Sequence, residues 1–284
     1  MKTTPVTLIN VDNRKFYIKR DDLYDPFLAG NKYRKLYALL KTPSSKLKRI
    51  ISYGGTQSNA MLAIAKMCKD KGWEFIYYTK KLSKTQESLP IGNHANALKL
   101  GMKHIQIQHN LYKDFISSLS LEKNPDVYVI HQGGADKAAK EGVGVLAKEI
   151  IKQNLPTKHI ATPSGTGTTA LYLAYHLKDY TIWTTPSIGD VSYLKTQMQS
   201  LEELPKNLKI IQPDKKYPFG KLNKDFLEIY FKLKKSGVEF DLLYAPLMWK
   251  MILQELNEDL IYVHSGGVSG NESMLQRYKQ KGYL

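Results

Sequence analysis

The sequence predicts an α/β protein whose mostly parallel sheets are covered by helices. Short apolar runs rich in β-branched and aromatic residues alternate with longer stretches of helical periodicity. Three glycine-rich turns stand where a strand gives way to a helix, and a fourth follows the last strand. A chain of 284 residues with 42% hydrophobic content suffices for one large α/β unit or two smaller lobes.

In chain order, strands are expected at 15–19, 49–52, 74–79, 104–108, 126–130, 159–161, 181–184, 208–211 and 260–263. Helices are expected at 30–40, 57–71, 92–100, 138–153, 168–177 and 225–235, where apolar residues recur three and four apart. Residues 80–90, rich in lysine, serine and threonine, read as an exposed loop. No internal repeat or low-complexity linker interrupts this order.

Composition narrows the function classes. The formal net charge is +16, yet arginine occurs only at Arg14, Arg20, Arg34, Arg49 and Arg277. Arginine is the residue whose fork reads base edges and phosphates, and the lysines are spread along the chain. Solvated helix faces account for them, and no nucleic-acid partner is expected. Cys68 is the single cysteine, which rules out an intrachain disulfide and a multi-cysteine metal site, and no metal is expected. No run approaches the ~20 apolar residues of a membrane span, and residues 1–20 lack a secretory signal pattern. A cytoplasmic protein with no membrane partner is the expectation.

Four segments carry candidate chemistry. In "DDLYDPFLAGNKYRKLYALL", Gly30 and Asn31 lead into a helix with Lys32 in its first turn. A lysine that reacts with a carbonyl needs a dry pocket and a lowered pKa; by itself Lys32 reads as one more surface lysine. In "RIISYGGTQSNAMLAIA", Ser58 and Asn59 open a helix where free amides and small hydroxyls suit an anionic or phenolic oxygen, and where Thr56 and Ser58 equally suit capping. In "HIATPSGTGTTALYLAYHL", Gly165, Thr166, Gly167 and Thr168 form the strongest anion-binding signal. Glycine lets a phosphate approach the backbone N–H groups of a helix start. The segment has neither the P-loop lysine nor the dinucleotide spacing. In "LIYVHSGGVSGNESMLQRY", Ser265 and two glycines follow the last strand.

Taken together and in this order, these segments resemble the aminocyclopropane-carboxylate deaminase and D-cysteine desulfhydrase family of tryptophan-synthase β-like, fold type II pyridoxal phosphate enzymes. "IKRDDLYDPFLAGNKYRKL", "YGGTQSNAMLAIA", "HQGGADKAAKEGV", "SGTGTT" and "YVHSGG" carry the resemblance over most of the chain. It implies a two-lobed fold, with a large cofactor-binding lobe from 1–45 and 137–284 and a small inserted lobe from 46–136. It implies pyridoxal phosphate held covalently by Lys32, with Asn59 on its ring hydroxyl and Ser58 facing the substrate. Gly165, Thr166, Gly167 and Thr168 then form the phosphate cup. Lys32, displaced by the substrate amine, becomes the proton shuttle. A small amino acid substrate and a homodimer are further implications.

The pattern also departs from the family. Where relatives place a tyrosine after a phenylalanine-glycine-glycine turn and a second one after a proline, this chain has "YPFGKLNK" and "YAPLMWKMI". On that alignment Leu222 and Met248 fall at the tyrosine positions, with Met248 and Trp249 read as core. The usual partner of the pyridine nitrogen is missing there, and Ser265 is assigned that hydroxyl role. The expected function is a lyase-type deaminase acting on D-cysteine or a related β-substituted amino acid. Aminocyclopropane-carboxylate deamination, racemisation and a non-catalytic ligand-binding relative are the alternatives.

Overall fold

Every strand expected from the sequence is present in the computed structural model, which describes residues 3–28 and 30–284, and one further strand precedes them. β1 (Val6–Val11) pairs antiparallel with β2 (Arg14–Lys19). The turn between them puts Asp12 and Asn13 at φ of 48° and 62°, a left-handed conformation that short polar side chains tolerate. The others are β3 (Arg49–Tyr53), β4 (Glu74–Lys80), β5 (Lys103–Ile107), β6 (Val127–Ile130), β7 (His159–Ala161), β8 (Thr181–Thr184), β9 (Leu208–Ile210) and β10 (Leu260–Val263).

Two sheets result, so this is an α/β fold with two parallel-sheet lobes. One runs β1-β2-β10-β7-β8-β9 and is parallel except for β1; the other runs β5-β4-β3-β6 and is parallel throughout. The second sheet is built wholly from residues 49–130. β10, the last strand in sequence, lies between β2 and β7 and is buried along its whole length. The segments following β2, β7 and β10 therefore emerge side by side at one edge. Carboxyl ends of parallel strands are where ligands bind in such folds.

Helices cover both sheets. Met61, Ile64 and Met67 of the Asn59–Lys71 helix enter the core of the four-stranded lobe with Ile50, Phe75 and Tyr77. The Ala139–Gln153 and Thr168–His176 helices close one face of the six-stranded sheet, and the Ala245–Glu255 helix closes the other. The stretch 80–90 is mostly exposed, with a short Lys84–Ser88 helix inside it. The helix expected over 30–40 is kinked: Gly30–Lys35 and Tyr37–Lys41 flank Leu36, at φ −88° and ψ 4°. Gly142 sits under both sides of the kink, where a Cβ would come within 1.9 Å of the Arg34 carbonyl oxygen and 2.5 Å of Tyr37 Cβ. Among the described residues, no helix is long and apolar enough to cross a membrane.

Candidate active site

The short Gly30–Lys35 helix distributes its side chains among different surroundings. Tyr33, with Leu36 just beyond the helix, enters the core of the four-stranded lobe. Arg34 turns the other way, into a buried ionic cluster of the six-stranded lobe. It donates to Asp21 at 2.9 and 2.8 Å and to Glu149 at 2.8 and 2.9 Å. Lys19 completes the cluster, donating to Glu149 at 2.7 Å and to the Thr4 carbonyl at 2.6 Å. Two cations thus face two carboxylates. Burial pushes the Glu149 pKa up, but Arg34 and Lys19 more than offset it and hold the carboxyl below its ordinary value. Held from both sides, the helix presents Lys32 and Lys35, one turn apart, to the cleft.

Lys32 is half-buried but closely surrounded by protein, and this crowding lowers its pKa to about 8, with Asp241 partly opposing the shift. Its ammonium donates to Asn31 Oδ1 at 3.0 Å. The helix start is pinned to the turn after β10: Asn31 N donates to the Ser265 carbonyl at 3.2 Å, and a Cβ on Gly30 would lie 2.0 Å from that same oxygen. Gly30, at φ 59°, has to be glycine for both reasons. Lys35 is more deeply buried, and burial followed by the Lys32 charge takes its pKa well below the ordinary value. Its Nζ donates to the Gly133 carbonyl at 3.1 Å and to Thr166 Oγ1 at 3.3 Å.

Thr166 belongs to the loop after β7. Its Oγ1 meets Thr168 Oγ1 at 2.9 Å, where Thr168 opens the Thr168–His176 helix and its free N–H groups. The "HQGG" turn backs this cup, Gly133 standing against the Thr166 methyl group. The two glycines of the cup differ. Gly165 faces the Tyr244 ring, 3.2 Å from where its Cβ would be, whereas Gly167, at φ 75°, backs onto Met198 and Leu194.

Across the cleft, Ser58 caps the Asn59–Lys71 helix, its Oγ accepting from Met61 N at 3.2 Å. The capping role that the sequence left open is therefore real. Asn59 Oδ1 accepts from Asn93 Nδ2 at 2.8 Å, and its other end lies beside Gly267, two residues after Ser265. Tyr77 donates to the Gly55 carbonyl at 3.2 Å and lies near both Ser58 and Tyr244. Lys32, Lys35, Thr166, Gly165, Tyr244, Tyr77, Ser58, Asn59, Gly267 and Ser265 are thereby linked, each to the next, by contact or chain neighbourhood.

The core reading of Met248 holds, but the placing of Leu222 and Met248 at the positions of site tyrosines needs correction. Met248 is fully buried beside Phe16, Trp249 and Tyr262, and Leu222 packs against Leu227, Leu242 and Tyr278, so neither reaches the cleft. A tyrosine does reach it from Tyr244, one helical turn before Met248. Burial, and secondarily the Asp241 charge, raise its pKa and keep the phenol protonated. Asp241 fixes that turn by accepting from Leu243 N at 3.0 Å and Tyr244 N at 2.6 Å. Lys35, Asp241 and Tyr244 were missed in the sequence. Only Lys35 left a trace there, its three-residue spacing from Lys32.

Two lysines of lowered pKa thus face this cleft, and Lys35 reaches the hydroxyl-lined helix start. The family model for pyridoxal-phosphate dependent enzymes matches residues 2–199. The chain belongs to that family. Relatives agree with the motif resemblance. A Pyrococcus furiosus protein with the provisional name 1-aminocyclopropane-1-carboxylate deaminase is 27% identical over 290 residues, covering 89% of this chain and 85% of the relative. A Thermotoga maritima protein of the same provisional name is 24% identical over 301 residues, covering 95% of each. Among solved structures, an ACC deaminase homologue superposes with a TM-score of 0.76 at 22% identity, over 97% of this chain and 94% of that one. A hydrogen sulfide-producing enzyme from Fusobacterium nucleatum does so at 0.65 and 14%, over 94% and 96%. The residues are chemically compatible with pyridoxal phosphate: Lys35, Thr166 and Thr168 offer donors of the kind a phosphate takes, and Lys32 offers an amine of lowered pKa to an aldehyde.

Proposed function

We propose that this enzyme eliminates the β-substituent of a small amino acid and releases a keto acid and ammonia, with D-cysteine as the best candidate substrate. On that substrate the products are pyruvate, sulfide and ammonia. The observation that supports this reading most is Lys32, an amine with a pKa of about 8 inside the cleft. When bound, pyridoxal phosphate supplies the electron sink for the α-carbon. Lys32 would hold the cofactor and is the base placed to move the α-proton, for which a pKa near the working pH is suited. Thr166, Thr168, Gly165 and Gly167 form the phosphate cup, with Lys35 adding an N–H donor. Asn59 faces the ring oxygen, Ser58 the substrate and Ser265 the pyridine nitrogen. Lobe boundaries at 45/46 and 136/137, a homodimer and a cytoplasmic setting belong to the same proposal and rest on the family likeness.

Tyr244 favours a second reading. Opening a cyclopropane amino acid cannot begin with α-proton removal and needs extra groups at the ring. A protonated phenol beside Gly165 is one such group, although Leu222 leaves the other tyrosine unreplaced. Purified protein saturated with cofactor is assayed for keto acid on D-cysteine, aminocyclopropane carboxylate and a panel of D- and L-amino acids, beside Lys32→Ala. Turnover of D-cysteine that disappears in K32A is the expected result, with borohydride attaching the cofactor to Lys32 in the parent. Efficient ring opening without D-cysteine turnover transfers the assignment to the second reading. Inactivity throughout the panel, or borohydride attachment at another lysine, refutes the first.

A further inference from the structure

Asn59 faces the cleft with an amide whose two ends are chemically opposite: the nitrogen donates hydrogen bonds and the oxygen accepts them. The group that decides which end points inward lies outside the cleft. Asn93, fully buried in the first turn of the Gly92–Lys99 helix, donates from Nδ2 to the Gln57 carbonyl at 3.0 Å and to Asn59 Oδ1 at 2.8 Å. Its Oδ1 accepts from Ser269 Oγ at 2.9 Å. A backbone carbonyl only accepts, so the Asn93 atom facing Gln57 is the amide nitrogen. That same NH₂ meets Asn59, and only the Asn59 oxygen can accept from it. Asn59 Nδ2 is therefore turned toward the terminal turn, where a Cβ on Gly267 would lie 2.4 Å from it. Gln57 braces the arrangement, Oε1 accepting from Asn93 N at 3.2 Å and Nε2 donating to the Ile91 carbonyl at 3.0 Å.

We propose that Asn93 is a positioning residue that sets the polarity of the Asn59 amide, so that Asn59 offers an N–H and not a carbonyl oxygen to the ring oxygen of pyridoxal phosphate. The inference rests on the reading of Asn59 given above. An N–H donor favours the ionised ring oxygen and a carbonyl opposes it, so the ionisation of that oxygen reports which way the amide faces. Ser269 comes from the terminal turn of the large sheet, so contact between the lobes also maintains the setting.

The test uses holoprotein of the parent, Asn59→Ala, Asn93→Ala and the double variant, comparing the pH dependence of the visible band and the cofactor dissociation constant. Both single variants are expected to move the titration midpoint upward and weaken cofactor binding about tenfold, as loss of one charge-assisted hydrogen bond does. The double variant should go no further than N59A, because both changes remove one interaction. Asn93→Ser, which keeps a donor too short to reach both acceptors, should fall between and covers misfolding of N93A. If N59A moves the band while N93A and N93S leave it at the parent position, Asn93 serves the fold alone and the inference is wrong. If N59A itself leaves the band unmoved, Asn59 is not the ring's partner, and the underlying reading falls together with the inference.

Discussion

Replacing Arg34 by methionine removes the guanidinium from a site where it is about 1% exposed and bonded to two carboxylates. Asp21 and Glu149 would then share only Lys19, leaving one uncompensated negative charge and several unpaired acceptors away from water. Breaking a buried ion pair from one side costs about 3–5 kcal/mol, far more than a surface pair contributes. At about 3 °C per kcal/mol for a chain of this size, melting should fall by roughly 12 °C. R34K should recover little, since an ammonium cannot reach both carboxylates as a fork does. Asp21→Leu added to R34M restores charge balance and should recover much of the loss. Thermal unfolding followed by circular dichroism measures all four proteins, and cofactor titration of each reports whether Lys32 has been displaced. A loss below about 1 kcal/mol for R34M, or a double variant no better than the single, would show that the cluster does not hold the helix as argued.

The two glycines of the phosphate cup should separate in their effects. Gly165→Val puts methyl groups against Tyr244 and is expected to weaken cofactor binding with little change in melting, while Gly167→Val meets Met198 at a positive φ and should mainly destabilise the fold. Equal cofactor affinity in G165V and the parent would remove the cup from the binding site. The rate at which apoprotein captures pyridoxal phosphate should rise about tenfold per pH unit below 8 and level off above it, because only the unprotonated Lys32 amine attacks the aldehyde. Stopped-flow absorbance from pH 6 to 9.5 measures this, and a rate still climbing steeply at the upper end, as for a lysine with the ordinary value of 10.5, would contradict the crowding described around Lys32.

Much of this architecture is legible in the sequence because parallel strands buried on both faces read as plain apolar runs, as "LIYV" does in β10. β1 was not, since its signal is an alternation shared with its hairpin partner and an Asp-Asn turn in place of the usual glycine. The Ala245–Glu255 helix is buried on nearly every side and shows no apolar stripe to mark it. The site followed a similar division. Glycine-rich turns announced the cup because backbone geometry demands particular residue types. Lys35 and Lys32 are the same residue in the same short segment, and only tertiary packing tells a buried amine from a solvated one. Tyr244 was overlooked one turn before Met248 because the Asp241 cap that aims it depends on a loop whose shape no local pattern specifies.

The divided loyalties of the Gly30–Lys35 helix bear on where the two lobes are joined. Tyr33 and Leu36 pack in the core of the four-stranded lobe, and Arg34, through Glu149 and Asp21, is bonded into the six-stranded one. A point attached to two bodies that turn relative to each other must lie on the axis of the turn, since only there does neither body carry it away. Lys32 therefore stands where the two lobes are joined. Were the two sheets to turn relative to each other about this helix, Ser58 and Asn59, on the opposite wall, would move further than Lys32.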